Sequence, residues 1–369
     1  MGEKKMEVSV SGSFEFRLRG GGSKTNTPQV QEIQTLLWTM RSSSLLLLFF
    51  LAGVSDVHGR SDFRICAFNL HHFGDSKSKK SDVMQTLARI ITRCDVCLLQ
   101  EVRDIKEKAI PLLLDRVQGY DTRHEYKSLA SERLGRSDYQ EQYVFVYRAD
   151  RVTVTGQYQY PDDLHGDVDA FAREPFVVRF RAPMTAIKEF VLIPQHTTPS
   201  NTTKELDALY DVLQRVKKMW RTENVMLLGD FNADCGYLAK KNRKYVRLIT
   251  EKDLFWLISD DTDTTVRSST SCSYDRIVVN GETFNRAVVP SSAKPFNFQM
   301  EYQMTEDQAL DVSDHYPVEV LLRVTDSKAF SGATSWILTG TSKTAYERTH
   351  RSKFLTLSVL SYLVSQMLT

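Results

Sequence analysis

Charge of one sign is what this chain most lacks. Its 48 Lys and Arg against 46 Asp and Glu leave a formal charge of +2. A protein that holds nucleic acid stoichiometrically is usually more basic, because phosphate contacts dominate affinity. Near-neutrality therefore disfavours a scaffold of that kind. It does not exclude an enzyme that must release its product. Long apolar runs are lacking too. Ser44 to Leu51 and the interrupted stretch Phe354 to Leu368 both fall short of the roughly 20 residues that span a bilayer as a helix. Cysteine is scarce, with five in 369 residues. The one C-x-x-C, Cys94 with Cys97, closes a helical stretch and enters a strand, whereas a redox pair opens a helix. Both are expected as buried core thiols. No internal repeat and no long low-complexity tract is visible in the central region.

What is present is an ordinary globular composition, 41% hydrophobic and 25% charged, in a chain long enough for a sizeable core. Both ends read as addressing segments. Residues 40–59 have the form of a secretory signal: Met40 and Arg41, then the apolar run, then the small-residue pattern at Val57 and Gly59. Residues 1–39 then become an upstream extension. Residues 326–353 form a polar linker and 354–369 an apolar tail. The small residues Gly340 to Ser342, a basic spacer and that tail follow the order of a lipid-anchor (GPI) signal. In a secreted protein, Cys235 and Cys272 are the expected disulfide. Asn201-Thr202-Thr203 is a well-formed glycosylation acceptor.

Residues 60–325 read as one continuous domain. Apolar runs at Phe63–Phe68, Val96–Leu99, Tyr143–Tyr147, Phe176–Phe180, Phe190–Ile193, Val225–Leu228, Arg276–Val279 and Val318–Val324 read as strands. Amphipathic helices are expected over Ser81–Arg93 and Thr203–Trp220, the second opened by a Thr202/Glu205 capping box. Strands outnumber helices and several look hairpin-linked. The expected fold is α/β (α+β): a four-layer sandwich of two packed, mostly antiparallel sheets flanked by helices.

The segment LLGDFNADC, Leu227 to Cys235, concentrates the chemistry. A buried strand ends in a glycine that permits a sharp turn. Asp230 and Asn232 follow, one residue apart, so that in extended backbone both face one side. A carboxylate and an amide there suit a phosphate held beside a hard cation. A plain strand-to-turn junction would look the same in isolation. Three other strand ends carry similar groups: Phe68-Asn69, Leu99-Gln100-Glu101 and Ser313-Asp314-His315. A glutamate at the end of an apolar run is costly to bury unless it is paired or bound to a cation.

QEVRD, REPFVV, GDFNADC, YDRIVV and SDHYPVEV, spread from about Phe63 to Val324, resemble the deoxyribonuclease I family within the wider endonuclease/exonuclease/phosphatase group. The resemblance implies a divalent-metal endonuclease acting on double-stranded DNA with little sequence specificity. It implies 5′-phosphate and 3′-hydroxyl ends. Asn69 and Glu101 would hold Mg²⁺, with Asp230 also near the metal. Asp230 and Asn232 would position the phosphate and the attacking water. His196 and His315 would be the acid and base, oriented by Glu141 and Asp275. Arg103 would enter the minor groove beside Tyr139, Arg173 would contact a phosphate, and Asp314 would support the site. Structural Ca²⁺ is expected at Asp162, Asp163, Asp167, Asp169 and Glu174, and in the loop Asp260 to Thr270 with Asp263 and Thr265. Membrane attachment would come through the C-terminal lipid, and no obligate protein partner is expected. Two rivals remain open: a phospholipid or inositol-phosphate phosphodiesterase with the same core, and a catalytically silent binding protein on this fold.

Overall fold

The computed structural model describes residues 63–163 and 169–325. The extension, signal, linker and tail segments lie outside the described residues, as does Asp167. Twelve strands are present among the described residues: β1 (Phe63–Phe73), β2 (Val96–Val102), β3 (Tyr126–Ala130), β4 (Gln142–Arg148), β5 (Thr153–Gln159), β6 (Phe176–Arg181), β7 (Glu189–Pro194), β8 (Val225–Asp230), β9 (Leu254–Trp256), β10 (Asp275–Asn280), β11 (Lys294–Pro295) and β12 (Val318–Leu322). The longer helices are α1 (Ser81–Ile91), α2 (Ala109–Tyr120) and α3 (Thr202–Trp220).

The strands form two six-stranded sheets, in the orders β11-β12-β1-β2-β4-β3 and β5-β6-β7-β8-β10-β9. Among the described residues, parallel pairing is confined to β1 with β2 and β7 with β8, so the sheets are mostly antiparallel, as expected. Each parallel pair is bridged by a helix, α1 or α3, because parallel neighbours need a crossover. The two sheets therefore share a topology that no sequence repeat announces: β12-β1-β2-β4 in one runs like β6-β7-β8-β10 in the other.

Alternation along the strands builds the layers. Ile65, Ala67, Val96 and Leu98 pack with Phe180, Leu192, Met226, Leu228 and Ile277 between the sheets. Their neighbours Cys66, Phe68 and Leu99 turn outward beneath Leu87 and Ile91 of α1. On the far side, Val191, Ile193 and Leu227 meet Leu206, Leu209 and Leu213 of α3. Central strands are thus apolar on both faces, which is why they were legible as continuous runs.

The structure corrects three local expectations. Cys94 is not a free thiol: it bonds to Cys66, while Cys97 alone stays free and buried. Parallel register sets Cys66 opposite Cys97, and the turn after α1 carries Cys94 to the outward-facing Cys66. Thr202 and Glu205 form no capping box. Thr202 already lies inside the helix, and its hydroxyl donates to Thr198 O and Pro199 O. Glu205 instead accepts from the Thr198 backbone N–H at 3.2 Å. Finally, β1 runs five residues past Phe68, with a register shift between Asn69 and Phe73. The Cys235–Cys272 disulfide is present.

Candidate active site

Both parallel pairs end at the same rim of the sandwich. Asn69 and Glu101 come from β1 and β2. Asp230 ends β8, His196 lies two residues beyond β7, and Asp275 opens β10. His315 precedes β12 and is anchored by two contacts: its N–H donates to Ser313 Oγ, and Ser313 Oγ donates to Asn69 O at 2.7 Å.

The Asn69 amide joins the two sheets. Its Nδ2 donates to Glu101 Oε1 and to Asp230 Oδ2, each at 3.0 Å. Asp230 Oδ2 also faces His196 Nε2 at 3.5 Å and His315 Nε2 at 3.7 Å. Each imidazole has a carboxylate behind it. His196 Nδ1 lies 2.8 Å from Glu141 Oε2, and His315 Nδ1 lies 2.7 Å from Asp275 Oδ2. Both Nε2 atoms therefore face the same Asp230 oxygen, each held there through Nδ1.

Electrostatics follow from this geometry. Burial pushes the Glu141 carboxyl up, but the charge and hydrogen bond of His196, with Arg173 beyond, overcome it and hold Glu141 at about 2. Burial and Arg173 push His196 down, yet Glu141 and Asp230 leave it raised above 6.5. Burial likewise opposes charge on His315, and Asp275 with Asp230 overcome it, so this ring sits well above its ordinary value.

Arg173, expected at a phosphate, lies buried behind the site. Its Nε and Nη2 donate to His196 O at 3.1 and 3.0 Å, and its Nη1 lies 3.6 Å from Glu141 Oε1. It steadies the His196–Glu141 pair from the rear. Asn232, in left-handed backbone (φ 48°), donates from Nδ2 to Thr197 O at 3.0 Å. Arg103 and Tyr139 stack on the rim, guanidinium over ring at 4.1 Å. Asp314 faces His71 Nδ1 at 3.6 Å and His315 Nε2 at 4.0 Å. Asn201 sits half-buried ahead of α3, with Nδ2 3.4 Å from Ala170 O.

The acidic loops differ. Carboxylate oxygens of Asp162, Asp169 and Glu174 lie within 4.8 Å of one another, while Asp163 pairs with Arg215. In the second loop, Asp260 is engaged by Arg243 and Arg276, and Asp263 Oδ1 accepts from Thr265 and Cys272.

Sequence reasoning missed four residues that build the site. Gln100 Oε1 accepts from Asp230 N at 2.9 Å, and its Nε2 donates to Gln195 O at 2.7 Å. Arg276, 1% exposed, ties Ser273, Ile258 and Ala233 carbonyls together beneath Asp275. His71 and His72 line the rim beside Glu101. The signal for Gln100 was its place between two apolar residues and Glu101; the others carry none.

Glu101 and Asp230 suit a hard divalent cation. Their oxygens share one amide hydrogen-bond donor. Among the described residues their ion pairs within 4 Å are with histidines, while Lys77 and Arg173 act on them only from further off. Carboxylate oxygens without a bound Lys or Arg are donors of the kind Mg²⁺ takes.

The Endonuclease/Exonuclease/phosphatase family profile matches residues 66–315. The chain is 46% identical over 289 residues to deoxyribonuclease gamma of Rattus norvegicus, covering 78% of this chain and 91% of that one. It is 49% identical over 277 residues to deoxyribonuclease-1-like 1 of Cricetulus griseus, covering 75% and 88%. A family protein from Leptotrichia buccalis shares the fold, with a TM-score of 0.51 at 17% identity, covering 71% of this chain and 99% of that one.

Proposed function

The chain belongs to the endonuclease/exonuclease/phosphatase family, in its deoxyribonuclease I branch, and on that premise we propose that it is a divalent-metal endonuclease that hydrolyses phosphodiester bonds of double-stranded DNA. The observation that carries this reading is the convergence of two carboxylate-backed histidines on Asp230, beside Glu101 and Asn69.

Glu101 and Asp230, steadied by Asn69, are the residues that would hold Mg²⁺. When bound, the ion neutralises phosphoryl oxygens and stabilises developing charge. One imidazole takes a proton from the attacking water while the other gives one to the leaving oxygen. Two imidazoles at one oxygen supply the separate base and acid that in-line displacement uses, with attack and departure on opposite sides of phosphorus. Glu141 and Asp275 fix the tautomers, so that each Nε2 serves the reaction. Loss of the bond to the 3′ oxygen gives 5′-phosphate and 3′-hydroxyl ends. Asn232 aids phosphate positioning, and Arg103 with Tyr139 engages the minor groove, where readout is degenerate. The Asp162, Asp169 and Glu174 cluster supports a structural Ca²⁺. A secretory route, glycosylation at Asn201 and a lipid anchor belong to the same proposal. Release of the protein from cells by phosphoinositide-specific phospholipase C tests the anchor.

Nicking of supercoiled plasmid with Mg²⁺, with and without a chelator, is the decisive assay. Parallel arms offer sphingomyelin and an inositol phosphate. Metal-dependent nicking with inert lipid arms is the expected result. Lipid or inositol-phosphate turnover without nicking would move the enzyme to the phosphodiesterase reading.

A further inference from the structure

His71 and His72 form an unusual turn at the rim of the site. Past Asn69, β1 leaves register with β2, and both histidines adopt left-handed backbone, φ 46° and 60°. Residues with a Cβ seldom take that conformation, still less twice in succession. Three contacts hold the turn. His71 N–H donates to Asn69 Oδ1 at 2.9 Å, and His72 N–H donates to Glu101 Oε2 at 3.0 Å. The Lys77 ammonium, largely buried, donates to Leu70 O and His71 O at 2.7 and 2.9 Å.

The result is a strip of rings along the rim. His72 Nδ1 lies 2.8 Å from the Tyr139 hydroxyl and 3.0 Å from Glu101 Oε2. The His72 ring meets Tyr139 edge-on, with centroids 5.6 Å apart. The opposite contact of Tyr139 is the Arg103 guanidinium over its face. His71 stacks beside His72 at 4.8 Å. One imidazole thus touches both the metal-holding carboxylate and the ring that carries Arg103.

We propose that His72 is a positioning residue that sets Tyr139, and through it Arg103, in the minor groove, and ties that contact to Glu101. The inference rests on the DNA reading above and deepens it by naming what fixes the groove-reading pair. A free Tyr139 ring would pivot about its own side-chain bonds and let Arg103 swing into solvent. With its hydroxyl bonded to His72 and acting on Glu141 as well, the ring is held in one orientation relative to Glu101. Groove width at the cut then decides how well Arg103 seats. Preference for particular cut positions is therefore a property of this strip as well as of Arg103.

The test compares wild type, His72→Asn, His72→Phe, Tyr139→Phe and the His72→Phe/Tyr139→Phe double variant. End-labelled duplexes containing A-tracts and mixed sequence are cut with Mg²⁺, and the cut-site distribution, kcat and KM are read. Asn tolerates left-handed backbone and keeps a polar group for the hydroxyl. Phe keeps a ring without one. The inference expects His72→Phe and Tyr139→Phe each to raise KM about fivefold more than they lower kcat and to flatten the cut-site distribution. The double variant should lose less than the product of the two singles, because both break the imidazole–hydroxyl contact, while His72→Phe also gives up the contact to Glu101 and Tyr139→Phe the one to Glu141, and His72→Asn should restore the wild-type distribution. Multiplicative losses in the double variant, or a wild-type cut pattern in His72→Phe, would overturn the inference while leaving the nuclease reading intact. A wild-type protein that cuts no duplex would overturn both.

Discussion

Gly229 offers the sharpest test of how this site is built. It sits at φ +130°, outside the range that residues with a Cβ occupy. A Cβ there would lie 2.4 Å from Gln195 O, 2.5 Å from Gln100 Nε2 and 2.9 Å from Gln100 Oε1. Gln195 O is backbone and cannot swing aside. Gln100 is held by its bonds to Gln195 O and Asp230 N. Gly229→Ala must therefore strain the backbone, by about 1–3 kcal/mol, and displace Gln100. Losing those two buried hydrogen bonds adds about 1 kcal/mol each. The sum is about 3–5 kcal/mol, or roughly 10 °C in Tm for a domain of this size. Plasmid nicking should fall further than stability alone explains, because Asp230 is the next residue and moves with it. Gly236 is the internal control. Nothing lies within 4 Å of its Cβ position and its φ is ordinary, so Gly236→Ala should shift stability by less than about 0.5 kcal/mol. The assay is thermal unfolding by circular dichroism alongside nicking. A Gly229→Ala protein with wild-type Tm and activity would refute this account of the Asp230 turn.

Glu101→Gln should lower nicking by about a hundredfold or more with unchanged Tm, and isothermal titration should show weakened Mg²⁺ binding; undiminished binding would remove Glu101 from the metal site. Glu141→Gln should move the limb of the pH–rate profile that reports His196 to lower pH, since Glu141 is what raises that ring. The same variant checks linkage. Glu141 is depressed on folding, so its contribution is full above about pH 4.5 and is lost as pH falls through about 2. Acid unfolding of Glu141→Gln should show a weaker pH dependence across that window. Cys66→Ser should cost about 2–4 kcal/mol in denaturant unfolding yet retain nicking, because the bond lies under α1 rather than at the rim; loss of activity in a folded variant would refute that separation.

Much of the site was legible because apolar strands ended in groups that apolar strands do not tolerate. Asn69, Glu101 and Asp230 stood out for that reason, and all three lie within one hydrogen-bond network. The pairing of Glu141 with His196 and of Asp275 with His315 followed from resemblance, since partners 55 and 40 residues apart leave no periodic trace. Cys94 was misread because its bond depends on the register of β1 against β2, which apolar runs do not encode. The edge strands β9 and β11, three and two residues long, are too short for alternation to register. α2 was missed for another reason: Pro111 falls in its first turn, where proline is tolerated but reads as a break. His71 and His72 were unreadable, because nothing in Asn-Leu-His-His specifies two left-handed residues.

The topological repeat explains why these groups meet at all. Each sheet holds one parallel pair whose strands leave the core at the same end. The first pair delivers an amide and a carboxylate, Asn69 and Glu101; the second delivers an imidazole and a carboxylate, His196 and Asp230. The antiparallel neighbour in each sheet begins at that end, so β4 and β10 start beside Glu141 and Asp275. Glu141 then crosses to the other sheet to hold His196, and Asn69 crosses to hold Asp230. Neither sheet carries a complete set. The site exists only where the two are packed, and the apolar residues between them fix its geometry as surely as the polar residues at the rim. A cavity cut into that layer by Leu228→Ala, two residues from Asp230, should cost about 2–5 kcal/mol and lower nicking in the folded fraction as well. Full specific activity in that fraction would show that the rim holds its geometry without the layer beneath it.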